Sequence, residues 1–362
     1  MRHVEHVMGT VFSFDLRPPL GDARQAITEA VAWLHHVDAV FSTYRPDSPV
    51  SRLAAGKIGL DGCPPQVADV LKLCDSVSEV SDGYFTVRPS GRLDPSGLVK
   101  GWAVEQASRI LTRCGVVNHC VNGGGDVQCA GRPAPDRPWR VAVAHPLRPG
   151  ATATVITGPD VALATSGTAE REPALAVATS GTAERGAHII DPRTGRPARH
   201  LVSITLTGTS LTMVDAYATA AFAMGAAARA WIERLPGVEA FAVTATGATW
   251  RTSGFRGTSP PVSEGVAFRG VAFGGLRRSA LGFHTDVVVA WQHLSVSGRA
   301  NDAAEVSRRS STRRDTRWPP MTSSRTTTSG IPSARCAAHC GSAVANGPES
   351  RPWPGSWPSS TA

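Results

Sequence analysis

Asp215 and Thr219 stand four residues apart in a helix-forming segment, so their side chains share one helix face and offer hard oxygen ligands. Asp215 also has a plainer reading, because Thr212-x-x-Asp215 carries the spacing of a capping box. His188 heads the run His188-Ile-Ile-Asp191-Pro, followed by Arg193 and a turn at Gly195. A histidine titrating near neutrality can take the proton of an incoming hydroxyl, and an arginine close by can face phosphate. The alternative is a turn histidine holding a backbone carbonyl. The turn Gly123-Gly124-Gly125-Asp126 either brings backbone close to a phosphate or makes a tight hairpin. Cys336, His339 and Cys340 lie at metal-like spacing but lack a fourth ligand.

Several common sites are excluded. There is no G-x-x-x-x-G-K-[ST], the glycine turn at 123–126 lacks the third glycine of a dinucleotide fingerprint, and G-x-S-x-G does not occur. What remains is an ordered series of turns: Met8-Gly9-Thr10, Ser42-Thr43-Tyr44, Asp82-Gly83-Tyr84-Phe85, Asp94 to Gly101, Asn122 to Asp126, Ala178 to Gly181, His188 to Gly195, and Asp215 to Thr219. Taken together over residues 8 to about 225, this series closely resembles the ApbE family, the FAD:protein FMN transferases.

The resemblance implies an enzyme that takes FAD as substrate, uses Mg²⁺, and moves the FMN half to a Thr or Ser hydroxyl of an acceptor flavoprotein, releasing AMP. Pyrophosphate attack of this kind needs charge neutralisation, a proton acceptor and fixed positioning. By the same resemblance His188 and Asp215 are catalytic, and Gly97 (through its carbonyl), Asp215 and Thr219 hold the metal. Met8, Tyr44, Tyr84, Phe85, Thr86, Asp94, Lys100 and Ile189 form the FAD pocket, Lys100 through its ammonium and Asp94 through a ribose or base edge. Thr86 departs from the family pattern, which has Asp after the Phe. Two alternatives accompany this reading: a pyrophosphatase that splits FAD into FMN and AMP, and a flavin-binding protein without catalysis.

These residues need a scaffold. Ile27, Val31, Leu34, Val37 and Phe41 follow Asp22 at helical spacing; Pro64 and Pro65 open a second helix through Val77. A third helix is expected from about Val99 to Cys114 and a fourth after Thr212. Strand-like runs are Val7–Leu16, Cys120–Cys129, Trp139–Ala144, Ala153–Thr157, Val161–Thr165, Ser203–Thr207 and a hairpin over Val238–Trp250. The expectation is an α+β fold: one domain of mixed strands and packed helices over 1–257, followed by a largely disordered tail over 258–362.

Charge supports that division. Residues 1–257 carry 25 basic and 23 acidic side chains, and residues 258–362 carry 12 and 6, so the net +8 splits into +2 and +6. The folded part therefore offers no strong electrostatic case for nucleic acid. Residues 307–333 hold 13 Ser or Thr among 27, a composition that buries too little surface to offset its ordering entropy. Within the domain Ala164–Arg171 recurs as Ala178–Arg185 with a period of 14 residues, a local duplication expected to loop out. Seven scattered cysteines suggest a reducing compartment, and no membrane span, signal peptide or lipid-anchor Cys is expected, which makes the cytoplasm the expected location.

Overall fold

The computed structural model describes residues 1–89, 91–148, 151–167 and 189–258, together with the backbone of 287–290. The second copy of the duplication, His188 and the Cys336, His339 and Cys340 group lie outside the described residues.

Along the chain run β1 Arg2–Val7, β2 Thr10–Arg17, α1 Ala23–Phe41, α2 Pro49–Ala54, α3 Pro65–Val80, α4 Ser96–Arg113, β3 Asn118–Gly123, β4 Asp126–Ala130, β5 Trp139–Ala144, β6 Thr152–Gly158 and β7 Val161–Gly167. After them come β8 Ile190–Asp191, β9 Arg196–Pro197, β10 Leu201–Gly208, α5 Leu211–Met224, α6 Ala228–Ile232, β11 Glu239–Thr244, β12 Thr249–Arg251 and β13 Val287–Ala290. The first helix starts as its sequence dictates, with the Asp22 carboxylate accepting the Gln25 N–H at 3.2 Å, and α3 has Pro65 in its first turn. β1 and the short α2 and α6 add to the elements expected from periodicity. β1 is polar and half-exposed, so it carries no clean alternation.

The eight-stranded sheet has the order β1-β2-β3-β4-β7-β10-β11-β12, and every neighbouring pair is antiparallel. Strand alternation divides its two faces. Val121, Ala162, Ala164, Ile204 and Leu206 point to the face covered by α1, α4 and α5, where they join the main core. Cys120, Val127, Cys129, Val161 and Leu163 point to the other face, against Trp139, Val141 and Val143 of the small sheet β13-β5-β6. In that small sheet β13 runs parallel to β5, which brings a strand from beyond residue 257 onto the fold.

One sequence expectation changes. Ala164–Gly167, the start of the first duplicated copy, is no loop: it forms the end of β7, paired with β10, and Ala164 is fully buried. The run Leu211–Ile232 is long and apolar enough to cross a membrane, with mean hydropathy 1.2 over an 18-residue stretch, but 72% of that stretch is buried inside this fold. Its small residues Ala216, Ala220 and Ala221 are all at 0% exposure, so its apolar character is accounted for by helix and sheet packing.

Candidate active site

Helices α4 and α5 build the centre of the site between them, and glycine sets how closely they approach. A Cβ at Gly101 would lie 2.6 Å from Asp215 Cβ and 2.7 Å from the Leu211 carbonyl oxygen, so no larger residue fits there. That contact lets the Gly101 N–H donate to Asp215 Oδ2 at 2.8 Å. One turn earlier, a Cβ at Gly97 would meet Phe85 at 3.2 Å and the Thr219 side chain at 3.4 Å. The structure thus brings Phe85, Gly97, Lys100, Asp215 and Thr219 together from three segments of the chain.

The start of α5 is fixed by a residue that the motifs did not indicate. Glu105, 6% exposed on α4, accepts from Ser210 Oγ at 2.8 Å, from the Thr212 N–H at 2.8 Å and from Thr212 Oγ1 at 2.7 Å, and Arg109 pairs with its other oxygen. Ser210 is the N-cap, accepting from the Met213 N–H. The capping box read from Thr212 to Asp215 is therefore not formed; Asp215 lies inside the helix and turns to α4 instead. The expected Lys-Gly turn is likewise helical. The helix α4 begins at Ser96, whose N–H is held by Asp94 Oδ1 at 3.0 Å, so Gly97 and Lys100 ride on its first turns.

Asp126 completes the centre. It is 0% exposed, forms an ion pair with Lys100 and accepts the Thr165 N–H at 3.2 Å. Lys100 Nζ also lies 3.8 Å from Asp215 Oδ1. The sequence offered one signal for Asp126: it closes the β3–β4 hairpin opposite Gly123, and alternation along β4 turns it to the helix face, away from Val127 and Cys129. Two buried carboxylates thus share one ammonium. Burial, reinforced by the Asp126 charge, pushes Asp215 up to about 7, while Lys100 and the Gly101 N–H act against the shift. Burial also raises Asp126, opposed by Lys100. The unbalanced negative charge, with the hydroxyl of Thr219 one turn beyond Asp215, is a donor set that fits a hard divalent cation.

The remaining expected residues are less closely grouped. Met8 occupies the β1–β2 turn at φ 55°, half-buried against the helix-side core. Thr86, half-buried, accepts the Arg88 N–H at 3.1 Å. Ile189 is 9% exposed and its carbonyl accepts the Ala198 N–H at 3.0 Å. Tyr44 is 63% exposed and stands outside the buried cluster. Arg193 lies 4.3 Å over the Tyr84 ring and pairs with Asp82, so it stacks on an aromatic face where a phosphate contact was expected. Asp191 folds its own turn, accepting from the Arg193 N–H at 2.9 Å and Thr194 Oγ1 at 3.0 Å.

Comparison with known proteins agrees with this arrangement. The ApbE family model matches residues 8–90 and 86–242. A protein named FAD:protein FMN transferase from Rhodobacter capsulatus is 33% identical over 189 residues, which is 52% of this chain and 32% of that protein. The protein of that name from Vibrio cholerae is 33% identical over 139 residues, 38% of this chain and 40% of its own length. The chain therefore spans less than half the length of these curated relatives. Among solved structures, the ApbE protein of Thermotoga maritima shares the fold with a TM-score of 0.59 at 22% identity, over 70% of this chain and 97% of that one. The flavin transferase ApbE from Vibrio cholerae does so with a TM-score of 0.57 at 23% identity, over 70% and 97%. With a family model matched over most of its described residues and the same fold beneath them, the chain belongs to the ApbE family.

Proposed function

We propose that the protein transfers the FMN moiety of FAD to a Thr or Ser hydroxyl of an acceptor flavoprotein, with Mg²⁺, and releases AMP. The observation that carries this reading is the centre in which buried Asp126 and Asp215 meet half-buried Lys100 and Thr219, in a chain whose relatives are named FAD:protein FMN transferase. Asp215 and Thr219 would hold Mg²⁺ together with the Gly97 carbonyl, and the bound cation supplies charge neutralisation on the pyrophosphate. Lys100, kept beside the two carboxylates, presents an ammonium to the phosphate oxygens. His188 accepts the proton of the acceptor hydroxyl as its oxygen attacks the FMN phosphorus. The AMP phosphate then leaves with the electrons of the broken P–O bond. Phe85, Tyr84 and Met8 supply apolar wall to the flavin side, and Asp94 and Ile189 border the nucleotide.

The test mixes purified protein with FAD, Mg²⁺ and an acceptor domain, and reads AMP release and the intact mass of the acceptor. An acceptor heavier by one FMN, with both signals lost in His188→Ala and Asp215→Ala, supports the transferase. AMP without a labelled acceptor supports the pyrophosphatase, and bound FAD without AMP supports a flavin-binding role. The duplication immediately before His188 keeps that last outcome in the test.

A further inference from the structure

We propose that Cys120 and Cys129, free thiols here and expected from the sequence to sit in a reducing compartment, form a disulfide across the β3–β4 hairpin when the folding chain meets an oxidant. The two residues are direct partners in the antiparallel ladder, and their sulfurs lie 2.9 Å apart. Opposed residues in such a ladder have Cα atoms about 4.5 to 5.5 Å apart, which falls within the roughly 4.4 to 6.8 Å span of disulfides. Both side chains point away from the catalytic face, into the layer formed with Val127, Trp139, Val141, Val161 and Leu163. That layer is apolar, and among the described residues no group of three His, Cys, Asp or Glu could hold a metal. Sulfurs in this setting have each other as chemical partner. Burial pushes the Cys129 thiol well up, so attack by a thiolate is disfavoured once the small sheet has covered the pair. The other described cysteines are placed differently: Cys74 is buried on α3, and Cys63 and Cys114 are half-buried, contacting backbone carbonyls and Glu29.

The cross-link has a structural consequence at the catalytic face. Asp126 lies three residues before Cys129 and opposite Gly123, so the bond pins the register that turns the Asp126 carboxylate toward Lys100. A slip of one residue would carry it to the other face.

Chemically, one thiolate attacks a small disulfide such as oxidised glutathione, forming a mixed disulfide and releasing one thiol. The second cysteine then attacks the protein sulfur of that mixed disulfide and expels the second thiol. Two cysteine thiols thus lose two electrons and two protons, and the small disulfide becomes two thiols. Because both side chains are covered in the folded protein, the bond is expected to form as the hairpin folds and then to resist glutathione until denaturant is added.

The test uses the full chain, reduced and divided into two arms. One arm is unfolded and returned to native buffer with oxidised glutathione; the other is held folded with the same oxidant. Both are quenched in acid, alkylated in denaturant and cut before aspartate, which separates Cys120 from Cys129 at Asp126; because Cys114 shares the fragment 94–125 with Cys120, fragment-ion sequencing then shows which of those two carries the alkyl group. Trypsin would leave Cys114, Cys120 and Cys129 on one peptide. A cross-linked pair of fragments containing Cys120 and Cys129, two hydrogens lighter than the reduced pair, is the expected result in the refolded arm. A higher urea midpoint than the reduced chain is expected as well, with no such shift in the Cys120→Ser, Cys129→Ser double variant. Folded protein with both cysteines alkylated, or with either joined to Cys63, Cys74 or Cys114, would overturn the proposal. If refolding yields no folded chain, chain synthesised in a cell-free system containing oxidised glutathione decides, because there the hairpin meets the oxidant while it folds: the Cys120–Cys129 cross-link in the folded product supports the proposal, and two alkylated cysteines there overturn it.

Discussion

Asp126 and Lys100 act through each other, since the carboxylate has no exposure to water and the ammonium bridges it to Asp215. Asp126 is a positioning residue in this view, and its effect on chemistry passes through Lys100. Asp126→Asn and Lys100→Met are each expected to lower kcat for AMP release by about 100-fold. The double variant should fall little further, because groups that act as a unit are not additive. Losses that multiply would show that the two residues act separately. His119 gives a second prediction on this scale. It is fully buried between Ser108 Oγ and the Val116 carbonyl, each at 2.7 Å, and burial lowers its pKa from the ordinary 6.5. The folded state therefore favours the neutral ring, while the unfolded chain takes up a proton near 6.5. Stability is present in full above 6.5 and is lost as pH falls through the depressed folded value. Because the raised Asp215 carboxyl titrates in the same window with the opposite sign, the readout is the difference between the two proteins: from pH 7.5 to about 5 the urea midpoint of the parent should fall relative to that of His119→Gln.

At the scale of elements, the site depends on how α4 meets α5. Gly101→Ala would push a methyl into Asp215 Cβ and the Leu211 carbonyl, and overpacking of this kind costs about 1 to 3 kcal/mol. Denaturant unfolding should register that loss, and Asp215 should lose its hydrogen bond to residue 101. Glu105 binds the same two helices from the other side of the Ser210 cap. Glu105→Ala leaves Ser210 and the Thr212 N–H and hydroxyl without their acceptor, at a cost of about 1 to 3 kcal/mol. Both variants should reduce AMP release as well, since each moves the helix that carries Asp215 and Thr219.

At the scale of the molecule, β13 extends the small sheet that covers Cys120 and Cys129. Its four residues run parallel to β5 from Arg140 to Val143. A chain ending after Ala290 keeps this strand, whereas a chain ending after Thr258 leaves that edge of β5 unpaired. The shorter form is expected to melt several degrees lower and to show faster amide exchange in β5, measured against the form ending at Ala290. Equal melting temperatures would remove β13 from the list of stabilising elements.

Much of this is legible in the amino-acid sequence. Local signals are strong where one face of an element is buried: the Asp22 cap and its apolar stripe placed α1, and prolines placed α3. The family resemblance grouped Gly97, Asp215 and Thr219, and the fold sets Gly97 against Thr219 and Gly101 against Asp215 where α4 meets α5. What the sequence by itself could not decide depends on groups far apart in the chain. The role of Glu105 rests on bonds to residues 105 and 107 positions away, and that of Asp126 on a lysine 26 positions earlier. Asp215 reads as a cap or as a ligand from its neighbours alone; only the close approach of α4 at Gly101 takes its carboxylate out of water and away from the helix start. The pairing of Cys120 with Cys129 belongs to the same class, because register decides which side chains share a face, and register is set by the hairpin as a whole.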